Sequence, residues 1–274
     1  MRNTPSHTKK ILITGGTSGL GLELAKCFLK KGYEVVVTGR INRAISDSGE
    51  RFAFYMTDFS DLNQTSDALK RICSDNRFDI IVNNAGILSP PDLLLTNDGH
   101  EYSFQVNFLS HLLVNEIIIR SHEPERPLKI AATVSLVYRF AENDLIFDKS
   151  EKDYVPLKAY SNSKLYLALM GSYLTREYQS YNLRCIGFDP GIFRSDIYRM
   201  QKGWFRFLYK VAAPFMRNPA KVAGCYADLI EREDLVNATI YKTSRKKGSV
   251  PLKESQAVDM FWKSCYQMIE PFLK

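Results

Sequence analysis

Thr14-Gly15-Gly16-Thr17-Ser18-Gly19-Leu20-Gly21 ends a short β-rich run, Lys10-Ile11-Leu12-Ile13-Thr14, and leads into an amphipathic helical pattern from Leu20 to Lys31. Glycines permit the tight turn and the close backbone approach that a pyrophosphate needs. The helix behind them supplies unpaired N–H groups and the positive end of its dipole. A glycine trio alone reads as an ordinary strand–helix turn. The strand before it and the helix after it give the loop its phosphate-binding reading. The candidate contacts are Gly15, Thr17, Ser18, Gly19, Leu20 and Gly21.

Outward from this loop the same alternation continues. Apolar runs at 33–38, 52–56, 78–82, 129–135, 183–188 and 237–241 read as strands. Helical patterns lie between most of them, at 61–74, 99–120, 157–180 and 219–232. Buried-type strands alternating with helices imply βαβ units. The expected fold class is α/β: a doubly wound, Rossmann-type, mostly parallel sheet with helices on both faces. No linker or repeat divides the 274 residues, so 1–274 reads as one domain.

Apolar residues at 45% and charged residues at 24% mark a globular chain. The net charge of +7 is spread along the sequence, with small clusters at Lys9-Lys10, Lys30-Lys31 and Arg245-Lys246-Lys247. No basic run is interleaved with aromatics, so a solvated surface is expected and no nucleic-acid partner. The five cysteines are odd in number and form no CxxC, which argues against a disulfide scaffold and against a metal site. Cys27 and Cys185 fall in segments that read as core. The first ten residues lack an apolar stretch, and the apolar segment Phe108 to Ile119 is too short to span a bilayer. A cytoplasmic protein is expected.

The spacing Thr-Gly-x-x-x-Gly-x-Gly resembles the short-chain dehydrogenase/reductase family, and further motifs follow in that family's order. Asp58, after the third strand, resembles the family's adenine-contacting aspartate. Asn83-Asn84-Ala85-Gly86 matches its Asn-Asn-Ala-Gly motif, so the resemblance assigns Asn84, Ala85 and Gly86 to the cofactor wall. Tyr160-Ser161-Asn162-Ser163-Lys164 is Tyr-x-x-x-Lys, whose i, i+4 spacing puts both side chains on one helix face. A phenol with a pKa of about 10 is a poor base; an adjacent ammonium and a positive nicotinamide favour its ionised form. The lysine can also bond ribose hydroxyls. Ser135 closes the fifth strand and would polarise a carbonyl. Asn107 matches the residue that holds a water in a relay to the lysine. Pro190-Gly191 resembles the turn over the nicotinamide, and Ser195 stands where many members have Thr contacting the carboxamide.

The resemblance therefore implies a hydride transfer between nicotinamide and a carbonyl/alcohol pair, catalysed by Asn107, Ser135, Tyr160 and Lys164. Gly39 stands where the family's NAD users tend to carry Asp, and Arg40 follows it, with Arg43 close by. A guanidinium suits a 2′-phosphate in charge and geometry, so NADP(H) is the expected cofactor. The wide Ser135–Tyr160 separation, Phe104-Gln105-Val106-Asn107 and Pro190-Gly191-Ile192-Phe193-Arg194-Ser195 resemble the retinol-dehydrogenase-like group, whose members act on lipophilic carbonyls. A catalytically silent NADP(H) sensor is the rival class; it would tolerate a broken tetrad.

The walls of the substrate site are expected in 136–157 and 194–218, from Leu136, Val137, Tyr138, Phe140, Phe193, Tyr198, Trp204, Phe205 and Phe207. Over Trp204 to Arg217, Trp204, Leu208, Val211, Ala212 and Phe215 share one helical face, opposite Arg206, Lys210 and Arg217, although Pro214 should kink or end the helix. This segment reads as a lid over the substrate, as a plain surface helix, or as a helix touching an anionic membrane surface. The resemblance also implies a homodimer, paired through the helices that hold Asn107 and Tyr160.

Overall fold

The structure, a computed structural model, describes residues 8–42, 49–141, 151–195, 216–242, 245–249 and 256–274, with single positions between 197 and 213. The chain runs β1 (Lys10–Ile13), α1 (Gly19–Lys30), β2 (Glu34–Gly39), β3 (Phe52–Met56), α2 (Leu62–Asp75) and β4 (Ile80–Asn83). A helical turn, α3 (Tyr102–Phe104), leads through a π-turn (Gln105–Leu109) into α4 (Ser110–Arg120). Then come β5 (Leu128–Thr133), α5 (Pro156–Glu177), β6 (Leu183–Asp189), α6 (Pro219–Glu231), β7 (Thr239–Lys242), β8 (Arg245–Ser249) and α7 (Gln256–Ile269).

The strands form one sheet in the order β3-β2-β1-β4-β5-β6-β7-β8, parallel except for β8. Strand residues alternate between two cores, as a sheet covered on both faces requires. Leu12, Val36, Ile81 and Ile130 face the side carrying α2, α4, α5 and α7. Ile11, Val35, Val37, Ile80, Val82 and Ala131 face α1 and α6. This is the doubly wound Rossmann-type fold expected from the alternation, with two additions. The antiparallel strand β8 and the helix α7 carried no recognised signal.

Helix α7 changes how α4 and α5 are covered. Trp262 stacks on Tyr173 at 4.1 Å between ring centroids, and Phe261 packs against Tyr166 at 4.7 Å and Phe108 at 5.9 Å. The buried Glu116 carboxylate accepts from Tyr178 Oη at 2.7 Å, from Tyr266 Oη of α7, and from Arg120 Nε at 3.2 Å. Every residue from Ser110 to Ile119 is buried. Leu112, Leu113, Ile117, Leu167 and Tyr173, large apolar residues of the helices expected to pair, are buried within one chain. All five cysteines are free thiols; Cys185 is buried, but Cys27 is half-buried and Cys225 exposed. Among the described residues no helix is long and apolar enough to cross a membrane.

Candidate active site

A cleft of about 400 Å³ opens at the C-terminal strand ends, where the strand order reverses between β1 and β4. Gly15, Thr17, Ser18, Gly19 and Leu20 line one end. Gly15 has φ +63°, and a Cβ on it would lie 2.8 Å from the Ala85 Cα, so the loop sits directly on the end of β4. Gly21 does not line the cleft; a Cβ there would collide with the Gly15 carbonyl oxygen, so its part is to let α1 pack close. Helix α1 carries no side-chain cap and no acidic residue in its first turn, which leaves its amide end suited to an anion. Asn84 Nδ2 donates to Thr14 O at 3.0 Å, and Asn84, Ala85 and Gly86 continue the wall.

At the end of β2, a Cβ on Gly39 would lie 2.6 Å from Thr17 Oγ1 and 2.8 Å from Thr17 Cγ2. No larger side chain fits at 39 while Thr17 holds its place. Arg40 is exposed on the rim beside them, and Arg43 lies outside the described residues. Asp58 also lines the cleft, with its Oδ1 accepting from Ser60 N at 3.0 Å and Ser60 Oγ at 2.8 Å.

At the other end, Tyr160 and Lys164 point inward from α5, both buried, with Lys164 Nζ 5.9 Å from the Tyr160 ring centroid. Lys164 Nζ donates to Thr133 O at 3.1 Å. Burial pulls the ammonium down to about 8, so it stays largely charged at neutral pH. Burial pushes the Tyr160 phenol above its usual range; a hydrogen bond with Ser135 works against this, and the Asp189 carboxylate adds to it. The expected pull toward phenolate is therefore reversed in the protein alone, and Tyr160 is a neutral acid. Ser135 lies two residues past β5, not at its last position, as the cap of the 3₁₀ turn Leu136–Phe140. Leaving the strand lets its hydroxyl turn back toward Tyr160.

Asn107 is fully buried in the π-turn rather than on the cleft surface. Its Oδ1 accepts from Ile87 N at 2.8 Å, and its Nδ2 donates to Ile87 O and Ser163 Oγ, each at 3.0 Å. The side chain is thus spent clamping the β4 loop to α5. A Cβ on Gly86 would lie 3.1 Å from Asn107 Oδ1 and 3.5 Å from Lys164 Nζ, so the three meet at one point.

Pro190, Gly191 and Ser195 line the cleft at the end that holds Tyr160 and Lys164. Buried Asp189 fixes their turn by accepting from Gly191 N at 3.0 Å. The apolar lining differs from the one expected. Ile87, Val106, Val134, Ile192 and Ile197 line it with Phe193, whereas Leu136, Val137, Tyr138 and Phe140 do not, because the 3₁₀ turn carries them away. Tyr198, Trp204, Phe205 and Phe207, with most of the expected amphipathic helix, lie outside the described residues. The segment's two ends are clipped together, Arg194 N donating to Arg217 O at 3.1 Å. Its start is tied across the cleft by Leu88 N to Ile197 O at 3.1 Å and Gln201 Nε2 to Ser89 O at 2.7 Å. Sequence reasoning gave no site role to Thr14, His111, Thr133, Ser163 and Asp189; Thr14 and Ser163 stand inside the quoted motifs, and His111 is a lone histidine in an apolar helix.

A glycine loop at the switch point, with Ser135, Tyr160 and Lys164 gathered at the far end of the same cleft, is the arrangement of a short-chain dehydrogenase/reductase. The chain resembles that family and, within it, the retinol-dehydrogenase-like group. Residues 9–140 match the short chain dehydrogenase family. Human retinol dehydrogenase 14 is 28% identical over 218 residues, which cover 70% of this chain and 64%, under two thirds, of that protein. In fold, the chain is similar to Brucella melitensis 3-ketoacyl-(acyl-carrier-protein) reductase complexed with NADH: TM-score 0.64, 21% identity, 85% of this chain and 96% of that one. It is also similar to Pseudomonas aeruginosa RhlG in an NADP complex: TM-score 0.64, 20% identity, 88% of this chain and 97% of that one.

Proposed function

We propose that the protein is an NADP(H)-dependent oxidoreductase acting on a carbonyl/alcohol pair of a lipophilic small molecule. The observation that carries this reading is the gathering of Ser135, Tyr160 and Lys164 in the cleft that the phosphate loop begins. When bound, NADP(H) supplies or accepts the hydride. The chain's own groups do the rest. The amide end of α1 would hold the pyrophosphate, and Arg40 would hold the 2′-phosphate. Thr17 occupies the place an acidic side chain at 39 would need, which removes the group that would repel that phosphate. Lys164 holds ribose hydroxyls. Ser135 polarises the carbonyl, and neutral Tyr160 gives its proton to the carbonyl oxygen, which is the reductive direction.

The apolar lining from Ile87 to Ile197 supports an apolar substrate, and the hydrogen bond from Arg194 to Arg217, at the base of segment 194–218, supports the lid reading. A silent sensor would have no use for a serine bonded to a buried tyrosine. The free thiols suit a reducing compartment such as the cytoplasm. Since α7 covers α4, we infer that the chain does not pair through that face. The cofactor reading is tested by titrating the protein with NADPH and NADH. NADPH is expected to bind about tenfold tighter or more, a gap of about 1.4 kcal/mol, and Arg40→Asp to remove the gap. NADH binding as tight as NADPH in the unmutated protein would refute it.

A further inference from the structure

His111 is a buried titratable group that the reading above leaves unused. It lies on α4, four residues after Asn107, 0% exposed and edge-on to Phe59 at 5.1 Å. Both ring nitrogens have polar neighbours: Nδ1 is 3.1 Å from the Asn107 backbone oxygen, and Nε2 is 3.0 Å from Thr14 Oγ1.

Counting protons fixes the direction of both bonds. A carbonyl oxygen only accepts, so Nδ1 carries the hydrogen. Thr14 Oγ1 already accepts from Asn84 N at 2.8 Å and Ala85 N at 3.0 Å, which uses both its lone pairs. Nε2 therefore cannot donate to it and instead receives the Thr14 hydroxyl hydrogen. The Val82 carbonyl, at 3.3 Å, is the more distant acceptor for that hydrogen. His111 is the neutral Nδ1–H tautomer. Burial and the nearby Lys164 cation hold its pKa down to about 3, in the same sense.

These bonds form a chain from Thr14, next to the phosphate loop, through His111 to the Asn107 carbonyl. With the Asn107 side chain committed to Ile87 and Ser163, that carbonyl is the part of Asn107 left to serve a proton relay to Lys164. It also sits in a π-turn, where Ser110 N bonds Gln105 O five residues back and the ordinary helical ladder is shifted. We propose that His111 is a positioning residue that locks the Asn107 carbonyl to Thr14, so that the cofactor loop and the proton relay keep one geometry. The functional half of this proposal rests on the oxidoreductase reading; the tautomer does not.

Two measurements test it. The first is an imidazole ¹⁵N–¹H correlation spectrum, with the signal among the chain's four histidines assigned by its loss in His111→Asn. An Nδ1–H tautomer that does not titrate between about pH 5 and 8 is expected. An Nε2–H tautomer, or titration in that range, overturns the proposal. The second compares three variants with the carbonyl that the wild type reduces fastest. Asparagine can place its amide where Nδ1 was, glutamine where Nε2 was, and phenylalanine only fills the volume. The expected losses in kcat are about threefold for His111→Asn and about thirtyfold for His111→Gln and His111→Phe, with KM for NADPH changed by less than about twofold. If His111→Phe keeps its kcat while His111→Asn loses it, His111 is packing alone. A wild type that reduces nothing would count against the proposed function, and the spectrum would still decide the tautomer.

Discussion

Along the cofactor wall of the cleft, from Gly15 to Gly86, groups meet with no room to spare: Gly15 on Ala85, Gly39 on Thr17, Gly86 on Asn107. Along the substrate wall, Ile87, Val134, Ile192 and Ile197 offer apolar area instead, and Ile192 is 76% exposed. On the proposed function, the difference follows from what each wall would recognise. A charged dinucleotide is held by fixed donors and close backbone approach. An apolar substrate is held by area, which many side chains supply equally well.

If the walls are separable in this way, Tyr160→Phe should give the largest split between them. Turnover should fall about 10²–10⁴-fold, while NADPH affinity, followed by fluorescence titration, holds. An equal loss in both would mean that the catalytic end also shapes cofactor binding.

Trp262→Ala probes the support behind both walls. Removing a large buried aromatic costs roughly 3–5 kcal/mol, and denaturant unfolding should show it. The variant should also expose the α4–α5 face and self-associate in light scattering, where the wild type stays monomeric. A wild-type dimer paired through the α4–α5 face would contradict the covering role of α7.

Gly39→Asp sharpens the cofactor wall. Alone, the new side chain meets Thr17, so it should cost about 1–3 kcal/mol of stability and weaken both nicotinamides. Adding Thr17→Gly should restore stability and turn the preference to NADH. This pair is a better reversal than Arg40→Asp, because it makes room for the carboxylate as well as removing a clash.

The most gradual effect is a pH slope. Unfolded His111 takes up a proton below about 6.5, whereas in the folded chain it stays neutral until about 3. The unfolded state then binds more protons, so stability falls as pH drops through that window. His111→Phe should unfold with a shallower acid slope in the same window; an unchanged slope would place the titration elsewhere.

Much of the cofactor wall was legible in the sequence because its constraints are local. Thr14 to Gly21 must turn, and Tyr160 and Lys164 must share a helix face. What was not legible depends on through-space contacts. Nothing local couples Thr17 to Gly39, His111 to Thr14, or Glu116 to Tyr266. Ser135 was placed in the strand because the apolar run reaches it, whereas the pairing of β5 with β6 ends at Thr133. Helix α7 was missed although Val258, Phe261, Trp262, Cys265 and Ile269 repeat at helical spacing; no motif drew the reading to that stretch. The expected lining residues Leu136 to Phe140 failed because a 3₁₀ turn, unlike a strand, does not keep their direction.

The central claim is that this cleft performs carbonyl chemistry with a phosphorylated nicotinamide. The most direct measurement is the loss of NADPH absorbance against a panel of lipophilic aldehydes and ketones, repeated with NADH and with Tyr160→Phe. The account predicts turnover of at least one apolar carbonyl, faster with NADPH than with NADH and lost in Tyr160→Phe. NADPH binding without turnover of any carbonyl, or turnover that survives in Tyr160→Phe, would contradict it.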